Sequence, residues 1–249
     1  MISILCPTRE RPKELRRMIN SAWITSRLNP KPEVVLYIDY DDKVSVPIAK
    51  ELNVKYMVGP RITLTQCWNE CYHISTGDIV MQGNDDVIFQ TDGWDKVIED
   101  EFKKYEDKIV MVHGSDEGMH FSNFGPHPFV HRRWVDTLGY FIPPYFSCDY
   151  GDAWVNYIAN SLNRRVYVSI IIEHMHFLFG KAEKDQNTLD RLGRGEKDNN
   201  DAIWASTSEQ RYADARKLGY IMSPQFMPTR SEGQPAKNMG FIPGHLNHP

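Results

Sequence analysis

The chain has 249 residues, 41% of them hydrophobic and 25% charged, and a formal net charge of −4. That composition excludes a disordered chain. No run approaches the roughly 18 apolar residues of a membrane span, and the net acidity argues against a dedicated nucleic-acid binder. Cys6, Cys67, Cys71 and Cys148 form no CxxC pair, and the N-terminal apolar run is too short for a secretory leader, so a cytoplasmic location without disulfides is expected.

Ile2 to Cys6 reads as a buried strand stopped by Pro7. Pro12 suits the first turn of a helix, and Leu15, Met18, Ile19, Ala22 and Trp23 give residues 12–26 one apolar face. Glu33 to Ile38 is the second strand and runs into Asp39-Tyr40-Asp41-Asp42. Val54 to Val58 is the third strand, following a short helix. Thr63 or Thr65 caps a helix that Gly77 closes. Asp78 to Gln82 is the fourth strand and enters Gly83-Asn84-Asp85-Asp86. Residues 92–105 are an amphipathic helix, and Ile109 to His113 a fifth strand. Strands and helices alternating at this spacing predict βαβ units in a largely parallel sheet covered on both faces.

The second half is less regular. Residues 114–128 read as a loop over a site, Asp149 to Leu162 as a helix, and Arg165 to His174 as a strand. Residues 181–217 carry eight basic and eight acidic side chains, which suits solvent-facing helices. From Ser223 to Pro249 five prolines and three glycines predict an extended tail. The expected organisation is 1–180 as the α/β unit, 181–222 as a helical extension and 223–249 as the tail.

Ligands of parallel sheets bind beyond the carboxyl ends of the strands, and three predicted strand ends carry chemistry. Asp85 and Asp86 can hold Mg2+ or Mn2+, although an isolated Asp-Asp is more often a solvated turn. His174 and His176, two apart in a strand, fall on one side and can complete a mixed oxygen and nitrogen site. Asp149 and Asp152 stand near a helix start, where acids stabilise free amides or, placed beside an acceptor hydroxyl, act as a general base. Arg9, Arg11 and Arg61 can bind phosphate. His131-Arg132-Arg133 and Asn163-Arg164-Arg165 offer a local phosphate-binding patch.

The order of Pro7-Thr8-Arg9, Asp39 and Ser75-Thr76-Gly77-Asp78-Ile79-Val80-Met81-Gln82-Gly83-Asn84-Asp85-Asp86 resembles the nucleotide-sugar half of GT-A glycosyltransferases, especially family 2-like ones. The resemblance spans roughly residues 2–176. It implies that Pro7, Thr8, Arg9 and Asp39 bracket the nucleotide, with Arg61, Asn84 and Asp85 also on the nucleotide sugar. It places metal and diphosphate at Asp85 or Asp86 with His174 or His176. Tyr150-Gly151-Asp152-Ala153-Trp154 resembles the block carrying the catalytic base, giving Asp152, with Asp149 second. Gly83 and Asn84 stand where the family carries the first acid of its Asp-x-Asp block.

The expectation is therefore an α/β GT-A domain, a Rossmann-like mostly parallel sheet flanked by helices. It transfers a sugar from a nucleoside-diphosphate sugar, a uridine one first, to an acceptor hydroxyl with Mn2+ or Mg2+. A saccharide is the first acceptor expected, and a hydroxylated base in DNA an alternative. Two rival readings are a zinc hydrolase using His174 and His176, and a non-catalytic sugar-nucleotide-binding module.

Overall fold

The structure is a computed structural model that describes residues 1–118 and 121–230. Its first half alternates as the sequence predicts: β1 (Ile2–Thr8), α1 (Pro12–Ile24), β2 (Glu33–Asp39), α2 (Ser45–Glu51), β3 (Lys55–Gly59), α3 (Leu64–Ile74) and β4 (Ile79–Gln82). After β5 (Val87–Phe89) come α4 (Trp94–Lys103), β6 (Met111–Ser115), β7 (Phe129–His131), α5 (Arg132–Leu138), α6 (Gly151–Ser161) and β8 (Arg165–His174). Three further helices follow: α7 (Gln186–Lys197), α8 (Asn200–Ser206) and α9 (Ser208–Met222).

The strands form one sheet in the order β3-β2-β1-β4-β7-β6-β8-β5. β3, β2, β1 and β4 are mutually parallel. β7 is antiparallel to both β4 and β6, and β5 runs antiparallel to β8. Alternate residues of each strand point to opposite faces, and both faces are covered. Leu5, Val35 and Val80 pack toward α3, α5 and α6, while Ile4, Leu36 and Met81 pack toward α1, α2 and α4. Thus Leu15, Met18, Ile19 and Ala22 of α1 are buried, as their spacing predicts. Thr63 caps α3 in a reciprocal box with Gln66, fixing the helix that forms one wall of the cleft.

The short strands β5 and β7 and the helix α5 lie outside the predicted elements, and α6 begins at Gly151 rather than Asp149. The two-residue difference has a cause. Asp149 and Tyr150 both adopt left-handed backbone, with φ of 56° each. That conformation costs a non-glycine residue about 1–3 kcal/mol and bends the chain sharply into the helix. Gly151 has room for no side chain there, since a Cβ would lie 2.6 Å from Ile142.

The helical segment 181–217 departs from the solvent-facing expectation. Trp204 and Ala215, with Leu218 just beyond the segment, join the core behind α6. Arg211 and Asp214 are buried as well. The Arg211 guanidinium lies 3.7 Å from the Trp204 ring centroid and donates to the Trp204 carbonyl. The Asp214 carboxylate accepts from Trp154 Nε1 at 3.2 Å and from the Tyr140 hydroxyl. Hydrogen bonds and a cation–π contact thus replace the water that charged side chains otherwise need. Residues 223–230 are without helix or strand, and the rest of the predicted tail lies outside the described residues. No helix among the described residues is long and apolar enough to cross a membrane.

Candidate functional site

The carboxyl ends of β1, β2, β4 and β8 open into one cleft, closed on its far side by the start of α6 and by α7. Its cavity is about 250 Å³. The twelve residues to which the resemblance gives a role all line it: Pro7, Thr8, Arg9, Asp39, Arg61, Asn84, Asp85, Asp86, Asp149, Asp152, His174 and His176. The topology explains the convergence. Parallel strands point the same way, so the segments following them gather at one end of the sheet.

Asp39 ends β2 and accepts from Arg9 Nη1 at 3.0 Å; Arg9 also pairs with Asp41. Burial raises the Asp39 carboxyl, against the pull of Arg9. Arg61 pairs with Asp190 of α7 at 2.7 Å.

The neighbouring acids of the β4 turn differ sharply. Asp85 has both oxygens engaged, Oδ2 by the Thr8 hydroxyl at 2.8 Å and Oδ1 by Arg11 at 3.1 Å. Burial pushes its pKa up to about 6; Arg11 opposes that, and Asp86 adds to it. Asp86 Oδ1 is buried without a hydrogen bond, although His174 Nε2 lies 3.3 Å away. Burial disfavours the Asp86 anion, but His174 and Arg11 outweigh it and hold this carboxyl well below the usual range.

His174 and His176 are adjacent, with ring centroids 4.9 Å apart, yet strand alternation is not the cause. β8 ends at His174 and the chain turns, His176 N–H bonding the His174 carbonyl. His176 Nδ1 then accepts from the Leu178 amide, and its Nε2 stands 3.4 Å from Arg191. His176 is therefore committed to the chain, whereas His174 faces Asp86.

Asp149 is ion-paired with Arg191 of α7. Asp152, one turn of chain later, accepts from the adjacent Ala153 amide at 2.8 Å, and among the described residues no side chain bonds it. Burial, with Asp149 adding, pushes the Asp152 carboxyl up to about 7. It is not the N-cap of α6, a position held by Tyr150 without a side-chain cap bond.

Sequence reasoning missed several lining residues. His127 comes from the predicted loop and is buried 5.0 Å from the His174 ring, with the Gln82 backbone beside it. Gln82 Oε1 is also buried and unpartnered. Asn187, Thr188, Arg191 and Arg194 come from α7, whose mixed charge gave no hint that one face meets a cleft. Arg11, read as a phosphate binder, instead bridges Asp85 and Asp185, the latter at 2.6 Å.

The predicted arginine patch lies away from the cleft, with Arg133 exposed and Arg133 and Arg164 both donating to Asp107. Arg132 is held by Ser75 and the Gly77 carbonyl, Arg164 by Asp107, and Arg165 by the Asn123 carbonyl. None of these arginines lines the cleft, so the patch gives the DNA-acceptor alternative no support at the site.

No protein-family model matches the chain, and comparison with curated proteins finds no match. Solved structures do resemble it. Residues 1–349 of TarS from S. aureus, in complex with UDP, align at TM-score 0.54 and 14% identity, covering 68% of this chain and 59% of that one. The mannosyltransferase PcManGT from Pyrobaculum calidifontis, in complex with GDP-Man and Mn2+, aligns at 0.55 and 11% identity, covering 88% and 73%. Glucosyl-3-phosphoglycerate synthase from Mycobacterium tuberculosis, in complex with Mn2+, UDP and phosphoglyceric acid, aligns at 0.56 and 14% identity, covering 78% and 73%. In the first of these alignments the chain spans about three fifths of the TarS fragment, and in another it spans 36% of a further TarS structure. With helices on both faces of a mostly parallel sheet and the cleft at its carboxyl end, the chain has the GT-A fold of nucleotide-diphospho-sugar transferases.

Proposed function

We propose that the chain is a glycosyltransferase that moves a sugar from a nucleoside-diphosphate sugar, a uridine one first, to an acceptor hydroxyl, a saccharide being the first class to test. The observation that carries this reading is one cleft holding, on a GT-A fold, an acid at the end of β2, an acid with one unpartnered oxygen beside an imidazole, and a carboxylate of raised pKa. Pro7, Thr8, Arg9, Asp39, Arg61 and Asn84 would hold the nucleotide end.

Among the described residues no three His, Cys, Asp or Glu side chains are disposed to hold a metal by themselves. Asp86, with its unpartnered oxygen, and His174 nonetheless fit a cation that takes its other ligands from a diphosphate. Asp85 and His176, expected with them, are occupied by Thr8 and Arg11 and by the Leu178 amide. A bound Mn2+ or Mg2+ would supply charge neutralisation of the leaving diphosphate.

Asp152 takes the proton of the acceptor hydroxyl. The oxygen forms the new bond to the anomeric carbon as the bond to the diphosphate breaks, and the nucleoside diphosphate leaves with the electron pair. Gln82 Oε1 suits a hydroxyl of the sugar, because it is buried in the cavity wall without a partner among the described residues. The zinc-hydrolase reading fares worse, since His176 is already committed.

Calorimetric titration with UDP tests the reading. UDP binds, and binds more tightly with Mn2+ than with EDTA. Equal affinity in both would remove the metal, and no binding at all would remove the donor. The pH profile is a second test. A base that titrates near 7 is active as the anion, so kcat rises with pH through about 7 and levels off above it. A kcat flat between pH 5.5 and 8.5 would contradict Asp152 as the base.

A further inference from the structure

We propose that Arg194 of α7 binds a phosphate of the nucleotide donor, so that α7 is part of the donor site; this rests on the donor reading above. Five arginines line the cavity. Four are neutralised by aspartates: Arg9 by Asp39 and Asp41, Arg11 by Asp85 and Asp185, Arg61 by Asp190, and Arg191 by Asp149. Among the described residues Arg194 has no carboxylate at ion-pairing distance.

Its isolation has a local cause. Asp190 stands one helical turn before Arg194, the order in which an acid and a base pair best on a helix. Yet Asp190 Oδ1 accepts from Gln186 and Oδ2 from Arg61, both at 2.7 Å. Arg194 Nε is meanwhile buried in the cavity wall with no hydrogen bond. A buried guanidinium nitrogen without a partner is costly, and a ligand that supplies the acceptor recovers that cost on binding. The guanidinium fork matches the paired oxygens of a phosphate. The other cationic groups of the cleft already hold anions, which leaves this one to meet an incoming anion.

The experiment titrates the full chain in Mn2+ with UDP and with uridine, for the unsubstituted protein, Arg194→Ala and Arg194→Gln. Arg194→Ala weakens UDP by about tenfold or more, the loss expected for a hydrogen bond to a charged group, and leaves uridine within twofold. Arg194→Gln, which keeps the helix and a hydrogen-bonding end, shows the same selective loss with an unchanged melting temperature. Equal losses for UDP and uridine would place Arg194 on the nucleoside and overturn the proposal. Unchanged affinities with a raised KM for an anionic acceptor would move it to the other substrate and also overturn it. If the unsubstituted chain binds no UDP, the donor reading falls first, a result separable from any effect of Arg194.

Discussion

Asp152→Asn lowers turnover by about 10²–10⁴, the usual contribution of a general base, while UDP affinity stays within a few-fold. The stability effect has the opposite sign from that of a lost helix cap. The Asp152 pKa is about 7 in the folded chain and about 4 when unfolded, so between those values the unfolded chain binds fewer protons. Folding stability contributed by this group is therefore present below about pH 4 and lost as pH rises through about 7. The amide does not ionise and avoids that loss, so the melting temperature of Asp152→Asn at pH 8 is equal to or above that of the parent. Steady-state rates and a melting curve at pH 8 check both halves. Asp149→Asn is the control: it frees Arg191 from its ion pair and changes KM before kcat. Near-normal turnover by Asp152→Asn with a lowered melting temperature would end the assignment.

The second large effect separates two adjacent acids. Asp86→Ala removes the Mn2+-dependent gain in UDP affinity, and His174→Ala weakens it, because these two carry the free oxygen and the imidazole facing it. Asp85→Ala acts on the fold instead. It leaves the Thr8 hydroxyl and one Arg11 nitrogen without their acceptor, and costs about 1–3 kcal/mol of stability. Denaturant unfolding alongside the titrations checks the split. If Asp85→Ala abolishes the metal effect while Asp86→Ala leaves it, the roles are reversed.

The first half of the chain was legible because its signals are periodic. The spacing of Leu15, Met18, Ile19 and Ala22 marks one face of α1, and apolar runs such as Val34 to Ile38 are long enough to read as strands. β5 and β7 have three residues each, too few to display any period. The strand ends bearing Asp39, Asp85 and Asp86 were found because the direction of a parallel sheet fixes where they meet. The difference between Asp85 and Asp86 was hidden, since it depends on Arg11 arriving from another element. α7 was hidden for a similar reason. Asp185, Asp190 and Arg191 look like a solvated face, and only the partners Arg11, Arg61 and Asp149, distant in sequence, turn that face inward. Trp204 was the available clue that residues 181–217 are not all surface, a large apolar ring among alternating charges.

The anchoring of α6 bears on when during synthesis the cleft can form. Trp154 and Tyr140 are tied to Asp214, Tyr150 is tied to Asp201, and Arg211 fills the aromatic space between α6 and α8. Asp152 belongs to the helix so held, yet its supports emerge from the ribosome some fifty to sixty residues after it does. The strands whose ends carry the proposed nucleotide-binding residues are all made before that point. The strand ends of the cleft are therefore in place well before the helix start bearing Asp152 is braced. On the proposed reading, donor binding and chemistry mature at different times in the life of a single chain.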